Sequence, residues 1–495
     1  MLTANRSLLR GVVSVFLALS LCFMPGSSAL AAAYTLDPAV LVSGPSPFAA
    51  CTVGSAGPDS VVYTDTEVEP FVAVNPTNPD NIIGAFQQDR WNDGGARGLV
   101  AASSFDGGAS WVRNFAQFSE CSGGDPDYDR TTDPWVSFDK AGRAYQIALS
   151  IDSAALNLSA VLASTSTDGG TTWGTPVTII RDENDPVAFN DKESITGDWT
   201  RAGHAYAAWI RGDIPGENRS FESLSHSFAF RGQPMFSRTT DGGQTWSKPI
   251  AMTNQNIYAQ GNQIVVLPDG TLVNVFAALF KGAGLQPNDN QVFMAVIRSR
   301  DGGLHWSAPV KIAPLKTALL TDPDTPNPGS LNETVRAGDY LPDIAVDKTT
   351  GALYVVWADG LGTNVNNVVL AKSTDGGRHW TAPQVVDQAT GPHAFNGTVE
   401  VTDDGTVAVM YYDFRNNTPA PGLPTDIWLT HSHDGGATWS EQHVTGPFDM
   451  KQAPVARGFF LGDYQGLAAV GNDLLLFFST TQGDPANVYA VRARH

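Results

Sequence analysis

Short apolar stretches recur along this chain in pairs, each pair split by a turn, and no stretch carries a sustained 3.6-residue repeat. Apolar runs and alternations this short predict β-strands, not helices. The pairs are 71–74 with 82–86, 135–138 with 144–148, 194–198 with 204–209, 264–267 with 271–277, 344–347 with 352–357, 399–402 with 406–411, and 467–470 with 474–479. Seven copies of one strand–turn–strand unit, in a chain with 49 Gly and 31 Pro to supply turns, predict an all-β protein built by repetition.

A second element follows the first six pairs. It occupies 104–111, 166–173, 239–246, 299–306, 373–380 and 432–439, and each copy reads Ser or Thr, any residue, Asp, Gly, Gly, two variable residues, Trp. The aspartates, Asp106, Asp168, Asp241, Asp301, Asp375 and Asp434, recur at intervals of 59 to 74 residues. Such a segment has the chemistry of a tight turn between strands. The Asp side chain accepts from nearby backbone N–H groups, the glycine pair reaches positive φ without steric cost, and the Trp buries its ring beside the turn. The six aspartates are therefore read as structural.

The octapeptide resembles the Asp box of sialidases and related β-propellers, a motif also found in xyloglucanases, sorting receptors and non-enzymatic propellers. The resemblance implies blades of four strands, with the Asp box as the turn from the third strand to the outermost. The seventh strand pair has a third strand at 487–492 and no Asp box after it. Residues 34–43, which resemble the strands that follow the Trp residues, are expected to supply its outer strand and close the ring. Seven blades are thus favoured over six, closed without an open sheet edge. Strand alternation then puts all six Asp boxes on one face and the starts of the inner strands on the other, where a ligand site is expected.

The N-terminus changes the compartment. Arg6 and Arg10 precede an apolar run over 11–24 and small residues over 27–33, the layout of an export signal cleaved near Ala31 to Ala33, leaving 34–495 as one domain. In Leu19-Ser20-Leu21-Cys22 the bulky Leu21 directly before the Cys argues against a lipid anchor, and no later segment is long and apolar enough to span a membrane. Removing the leader takes two Arg and no acid, moving the formal charge from −20 to about −22, which argues against nucleic acid as a partner. Of three cysteines, Cys51 and Cys121 would remain in an oxidising compartment and are expected to pair. The expected state is a monomer, secreted to the exterior or to a periplasm, whose partner is a glycan.

The resemblance reaches a site at two places. Asp463-Tyr464-Gln465-Gly466-Leu467, followed by Leu476-Phe477-Phe478, has the layout of the segment that carries the sialidase nucleophile, which implies that role for Tyr464. Phe86-Gln87-Gln88-Asp89-Arg90-Trp91 is similar to the segment leading into the loop with the acid/base Asp, which implies Asp93 as acid. A phenol suits a substrate whose anomeric carbon bears a carboxylate, because a carboxylate nucleophile would be repelled. It needs a neighbouring base, for which Glu193 and Glu69 are the candidates. The substrate carboxylate needs arginine forks, for which Arg90, Arg130, Arg336, Arg415 and Arg457 are the candidates. The chain also departs from the family, since Glu67-Val68-Glu69-Pro70 places Val68 where the first Arg should stand, and Asn396-Gly397 replaces an Asn-Glu pair.

The expected activity is that of an exo-α-sialidase. Another glycan-active hydrolase or lyase, and a non-catalytic propeller binding extracellular glycan or protein, are the alternatives. No metal ligand set or required cofactor is read from the chain. The acidic strand starts Asp191, Asp343 and Asp463 leave Ca²⁺ open as an optional ligand, without a contiguous Ca²⁺ loop.

Overall fold

The computed structural model describes residues 33–153, 158–183, 188–213, 232–254, 257–280, 292–324, 334–338, 340–483 and 485–495. The leader, most of the 211–231 stretch, and Asn332, Glu333 and Asp339 lie outside them.

Every predicted strand pair is an antiparallel hairpin that further strands extend outward. In the first unit Val62–Val74 pairs with Ile82–Trp91, which pairs with Ala96–Ser104, which pairs with Val112–Asn114. The sixth repeats the order with Ala394–Val401, Val407–Asp413, Pro424–Ser432 and Ser440–Asp449. Among the described residues there are seven such units. Ladders of one residue pair, Ala96 with Thr131 and Gly232 with Ala259, join the first unit to the second and the third to the fourth.

Innermost strands of all seven units line one central cavity of about 230 Å³, with Phe71, Trp135, Ser194, Gln263, Asp343, Thr398 and Leu467 each coming from a different unit. Four-stranded units set radially around a channel are a β-propeller. Large side chains such as Trp209, Trp357 and Tyr411 are fully buried within or between units.

The seventh unit, Gly466–Val470, Asp473–Thr480 and Asn487–Arg494, is completed by the N-terminal segment. One strand is expected over 34–43, but two short ones form, Thr35–Leu36 on Arg494 and Ala493, and Val40–Leu41 on Ala490 and Tyr489. Pro38 lies between them and has no N–H to give to the ladder, which divides the strand.

Each Asp box is the turn from third strand to outer strand. In the last copy the Asp434 carboxylate accepts the Ala437 and Thr438 N–H groups at 2.9 Å and the Ser432 hydroxyl at 2.7 Å. These turns also hold neighbouring units together. Arg238 donates to the Gly302 carbonyl at 2.6 Å, Lys372 to that of Gly435 at 2.9 Å, and Arg492 to that of Gly107 at 3.3 Å, the last across the seam where the ring closes. The Gly242 N–H bonds the Gly203 carbonyl at 2.9 Å, so an Asp box and the turn of an inner hairpin share a face as expected.

Cys51 and Cys121 form a disulfide with Cα atoms 5.5 Å apart, linking the segments that lead into the first and second units across 70 residues. Closing a loop of that length is worth about 4 kcal/mol in the chain-entropy model. Cys51→Ser with Cys121→Ser should therefore unfold at clearly lower denaturant, with an m-value no smaller than that of wild type because the unfolded chain loses its cross-link. Thiol titration of the native protein should find none, and two titratable thiols would contradict the bridge.

Candidate functional site

Five inner strands begin with the same irregularity. The ladder of each shifts register by a bulge, between Val68 and Phe71, Thr132 and Trp135, Asp191 and Ser194, Gln260 and Gln263, and Phe395 and Thr398. Within each bulge one residue adopts positive φ: Glu69 (55°), Asp133 (52°), Lys192 (52°), Gly261 (68°) and Asn396 (53°). Glycine takes that conformation freely, whereas each non-glycine residue there costs about 1–3 kcal/mol, and such strain gathers at functional sites. The bulges lie at the strand starts, at the channel end opposite the Asp boxes.

There the charged side chains meet. Lys192 Nζ lies 2.7 Å from Asp463 Oδ2, 3.3 Å from Asp133 Oδ1 and 3.5 Å from Glu69 Oε1, and all four side chains are buried. Arg336 grips Asp463 with two prongs, Nη2 to Oδ2 at 2.5 Å and Nε to Oδ1 at 3.1 Å. It reaches this position because Val335–Arg336 pairs in parallel with Phe459–Phe460, joining the segments that precede the fifth and seventh units. Arg336 and Arg90 both lie over the Phe460 ring, at 4.4 and 4.9 Å. Tyr464 packs on Trp135 at 5.0 Å between ring centroids, and Trp135 stacks on Phe71 at 3.7 Å.

Burial and mutual charge set the protonation pattern. Glu69, desolvated and beside Asp133 and Asp463, is pushed up to about 8 despite its contact with Lys192. Burial likewise raises Glu67 to about 8, and burial with the Asp133 charge raises Asp191 to about 7. Glu193 is raised well above the usual carboxylate range, first by burial and then by Asp133, and neither of its oxygens has a hydrogen-bond partner among the described residues. The Tyr464 phenol is raised by burial and by Glu69, Asp133, Glu193 and Asp463. Asp463 goes the other way, because Arg336 and Lys192 outweigh its burial and hold it well below its ordinary value. Burial, and then the charge of neighbouring arginines, lowers Arg90 to about 10 and Arg457 to about 9.

Of the residues expected at a site, Tyr464, Glu193, Glu69, Arg90, Arg336 and Arg457 come together here. Tyr464 and Glu193 line one small cavity with Trp135, Lys192 and Leu341. Asp93 does not join them as an acid. Its carboxylate pairs with Arg130 at 2.6 Å and accepts the Ser60 hydroxyl, contacts that hold it below its ordinary pKa against the effect of burial. A general acid at neutral pH needs the opposite shift. Arg130 is spent on Asp93 and on the Gly54 and Gly94 carbonyls, and lies over the Trp91 ring. Arg415 is equally engaged, between Asp413 at 2.5 Å and Glu441 at 2.6 Å within the sixth unit. These two arginines serve as internal ties.

Two of the three Ca²⁺ candidates are engaged as well. Asp463 is held by Arg336 and Lys192, and Asp343 accepts the Thr398 hydroxyl at 2.6 Å and the Val399 N–H at 2.8 Å. A different set, Asp404, His433 and His495, brings potential ligand atoms within 4.8 Å of one another, with Asp404 and His433 on turns of the Asp-box face.

The sequence assigns no catalytic or sugar-binding role to Lys192 or Asp133, and offers Asp463 only as an optional Ca²⁺ ligand. A signal existed, since a charged or amide residue stands two places before the first channel-lining residue in Glu69-Pro70-Phe71, Asp133-Pro134-Trp135, Lys192-Glu193-Ser194 and Asn396-Gly397-Thr398.

The raised carboxyls predict how stability depends on pH. Glu67 and Glu69 keep protons in the folded state up to about pH 8 that they lose near pH 4.3 when unfolded. Their contribution is complete below the unfolded value and is lost as pH rises through the folded one. Asp241, lowered to about 2 by the Thr245 hydroxyl and N–H, acts oppositely and loses its contribution as pH falls from about 3.9 towards 2. The melting temperature should peak at about pH 4–6 and fall towards pH 9. A melting temperature that rises from pH 5 to pH 9 would contradict this.

No family model matches this chain, and no curated protein sequence does. Several solved structures are similar in fold. The sialidase Hz136 from a Hadza microbial source is 16% identical, with 83% of this chain and 73% of that one covered and a TM-score of 0.45. The α-L-arabinofuranosidase Arb93A of Fusarium graminearum is 14% identical, with 93% and 98% covered and a TM-score of 0.45. The intramolecular trans-sialidase of Ruminococcus gnavus is 13% identical, with 90% and 97% covered and a TM-score of 0.42. At these values the likeness extends to no particular residue.

Proposed function

We propose that this protein is a glycoside hydrolase that removes terminal sugars from extracellular glycans. The observation that carries the reading is the Tyr464 phenol sharing a cavity with the buried, unpartnered carboxyl of Glu193, near Glu69 and Asp191, whose carboxyls are raised to about 8 and about 7. In this reading Tyr464 Oη attacks the anomeric carbon while Glu193, in its ionised form, takes the phenol proton. The bond to the leaving oxygen breaks, and Asp191, which keeps solvent contact and titrates near 7, returns a proton to that oxygen. Water then cleaves the tyrosyl–sugar bond by the reverse transfers. The net charge of the site is conserved through this step, because ionised Glu193 becomes neutral as Asp191 gives up its proton.

The finer alternative, exo-α-sialidase action on acidic sugars, would need Arg90, Arg336 and Arg457, which gather near Asp463, to hold the sugar carboxylate, and Arg336 is already bound to Asp463. The leader read at 1–33 and the disulfide support an extracellular location. Among the described residues no helix is long and apolar enough to cross a membrane.

The test is a panel of fluorogenic glycosides covering neutral pyranosides, neutral furanosides and a sialoside, at pH 5 to 8. Release from at least one supports the hydrolase. Release from none, by protein shown to be folded, rejects it and leaves a glycan- or protein-binding propeller.

A further inference from the structure

Asp463 is more fully satisfied than any other carboxylate in the cluster. Its Oδ1 accepts from Arg336 Nε at 3.1 Å and from the Gly338 N–H at 3.0 Å. Its Oδ2 accepts from Arg336 Nη2 at 2.5 Å and from Lys192 Nζ at 2.7 Å. A planar two-pronged guanidinium, an ammonium and a backbone N–H converging on one carboxylate are what a protein uses to recognise a carboxylate from outside. Here the chain supplies that carboxylate itself, with no exposed side-chain surface.

We propose that Asp463 fills a carboxylate clamp from within, and that the sugar entering this site is uncharged at its reacting carbon. The substrate class rests on the hydrolase reading above, whereas the filled clamp stands without it. Lys192 Nζ lies 2.7 Å from Asp463 Oδ2 and 5.9 Å from the centre of the Tyr464 ring, so an acid group borne on the carbon that Tyr464 attacks would compete with Asp463 for the same cations. Displacing Asp463 would strand a second buried carboxylate among Glu69, Asp133, Asp191 and Glu193. Breaking a buried pair of this kind is strongly unfavourable. The net charge of the whole chain works the same way, at a formal −20. An anionic sugar is repelled on approach and finds Arg336 occupied on arrival.

The test separates the clamp from the chemistry. Asp463→Gly should melt lower than wild type in chloride, and sodium acetate or formate at matched ionic strength should recover part of that loss in the variant and none in wild type. N-acetylneuraminic acid should bind Asp463→Gly at least about tenfold more tightly than wild type, a difference of about 1.4 kcal/mol. Should Asp463→Gly not fold, wild type alone decides by calorimetry. Absence of saturable N-acetylneuraminic acid binding at millimolar concentration supports the inference, and saturable binding overturns it. Indifference of folded Asp463→Gly to acetate and formate overturns it too. Cleavage of a sialoside by wild type would end the inference and leave the hydrolase standing. Failure to cleave any glycoside would end the hydrolase reading while carboxylate rescue still reports on the clamp.

Discussion

Lys192→Met is expected to destabilise the folded protein by about 3–5 kcal/mol, the range for removing one partner from a buried charge cluster. Methionine fills most of the same volume, so the loss comes from charge. The ammonium touches Asp463, Asp133 and Glu69, and its removal leaves three buried acids without their shared cation. Those acids can relieve the strain by taking up protons, so the deficit should be larger at pH 8 than at pH 5. Denaturant unfolding of wild type and variant at the two pH values measures this. A loss under about 1 kcal/mol, the scale of an exposed ion pair, would show that Lys192 does not hold the cluster together.

Tyr464→Phe is expected to lower kcat by about three orders of magnitude or more on any substrate the wild type turns over, with KM little changed. The ring remains and keeps its packing on Trp135. What disappears is the oxygen that would form the sugar–enzyme bond, an interaction realised only beyond the ground state. The hydroxyl makes one long contact, 3.3 Å to the Pro134 carbonyl, so its removal should leave the melting temperature almost unchanged. Equal turnover in the two proteins would remove Tyr464 from the mechanism.

Much of the fold is legible in the chain because its repeats are local. The strand pairs, the Asp-box turns, the N-terminal closure and the Cys51–Cys121 bridge all follow from short patterns or from counting. The inner strands were read too short. The first was expected over 71–74 and runs over Val62–Val74, and the second was expected over 135–138 and runs over Arg130–Phe138. A bulge with a positive-φ residue interrupts the alternation at Glu69 and Asp133, and the segment before it is polar, so the period-two signal stops at the bulge. That hidden half of each strand carries the site. Asp463 meets Arg336 across 127 residues through a two-residue parallel ladder between irregular segments, which has no local signature. Asp93 illustrates the reverse failure. Its sequence context suggested an acid, but only the fold reveals that Arg130 lies 2.6 Å away and keeps it ionised.

The most direct test of the account is to trap the sugar on the protein. Wild type is incubated with an activated 2-fluoro analogue of whichever glycoside the panel identifies, and the labelled peptide is located by mass spectrometry. A stoichiometric label on Tyr464, absent from Tyr464→Phe, is the predicted result. A label on Glu69, Glu193 or another residue, or full turnover of the glycoside with no covalent species, would contradict it.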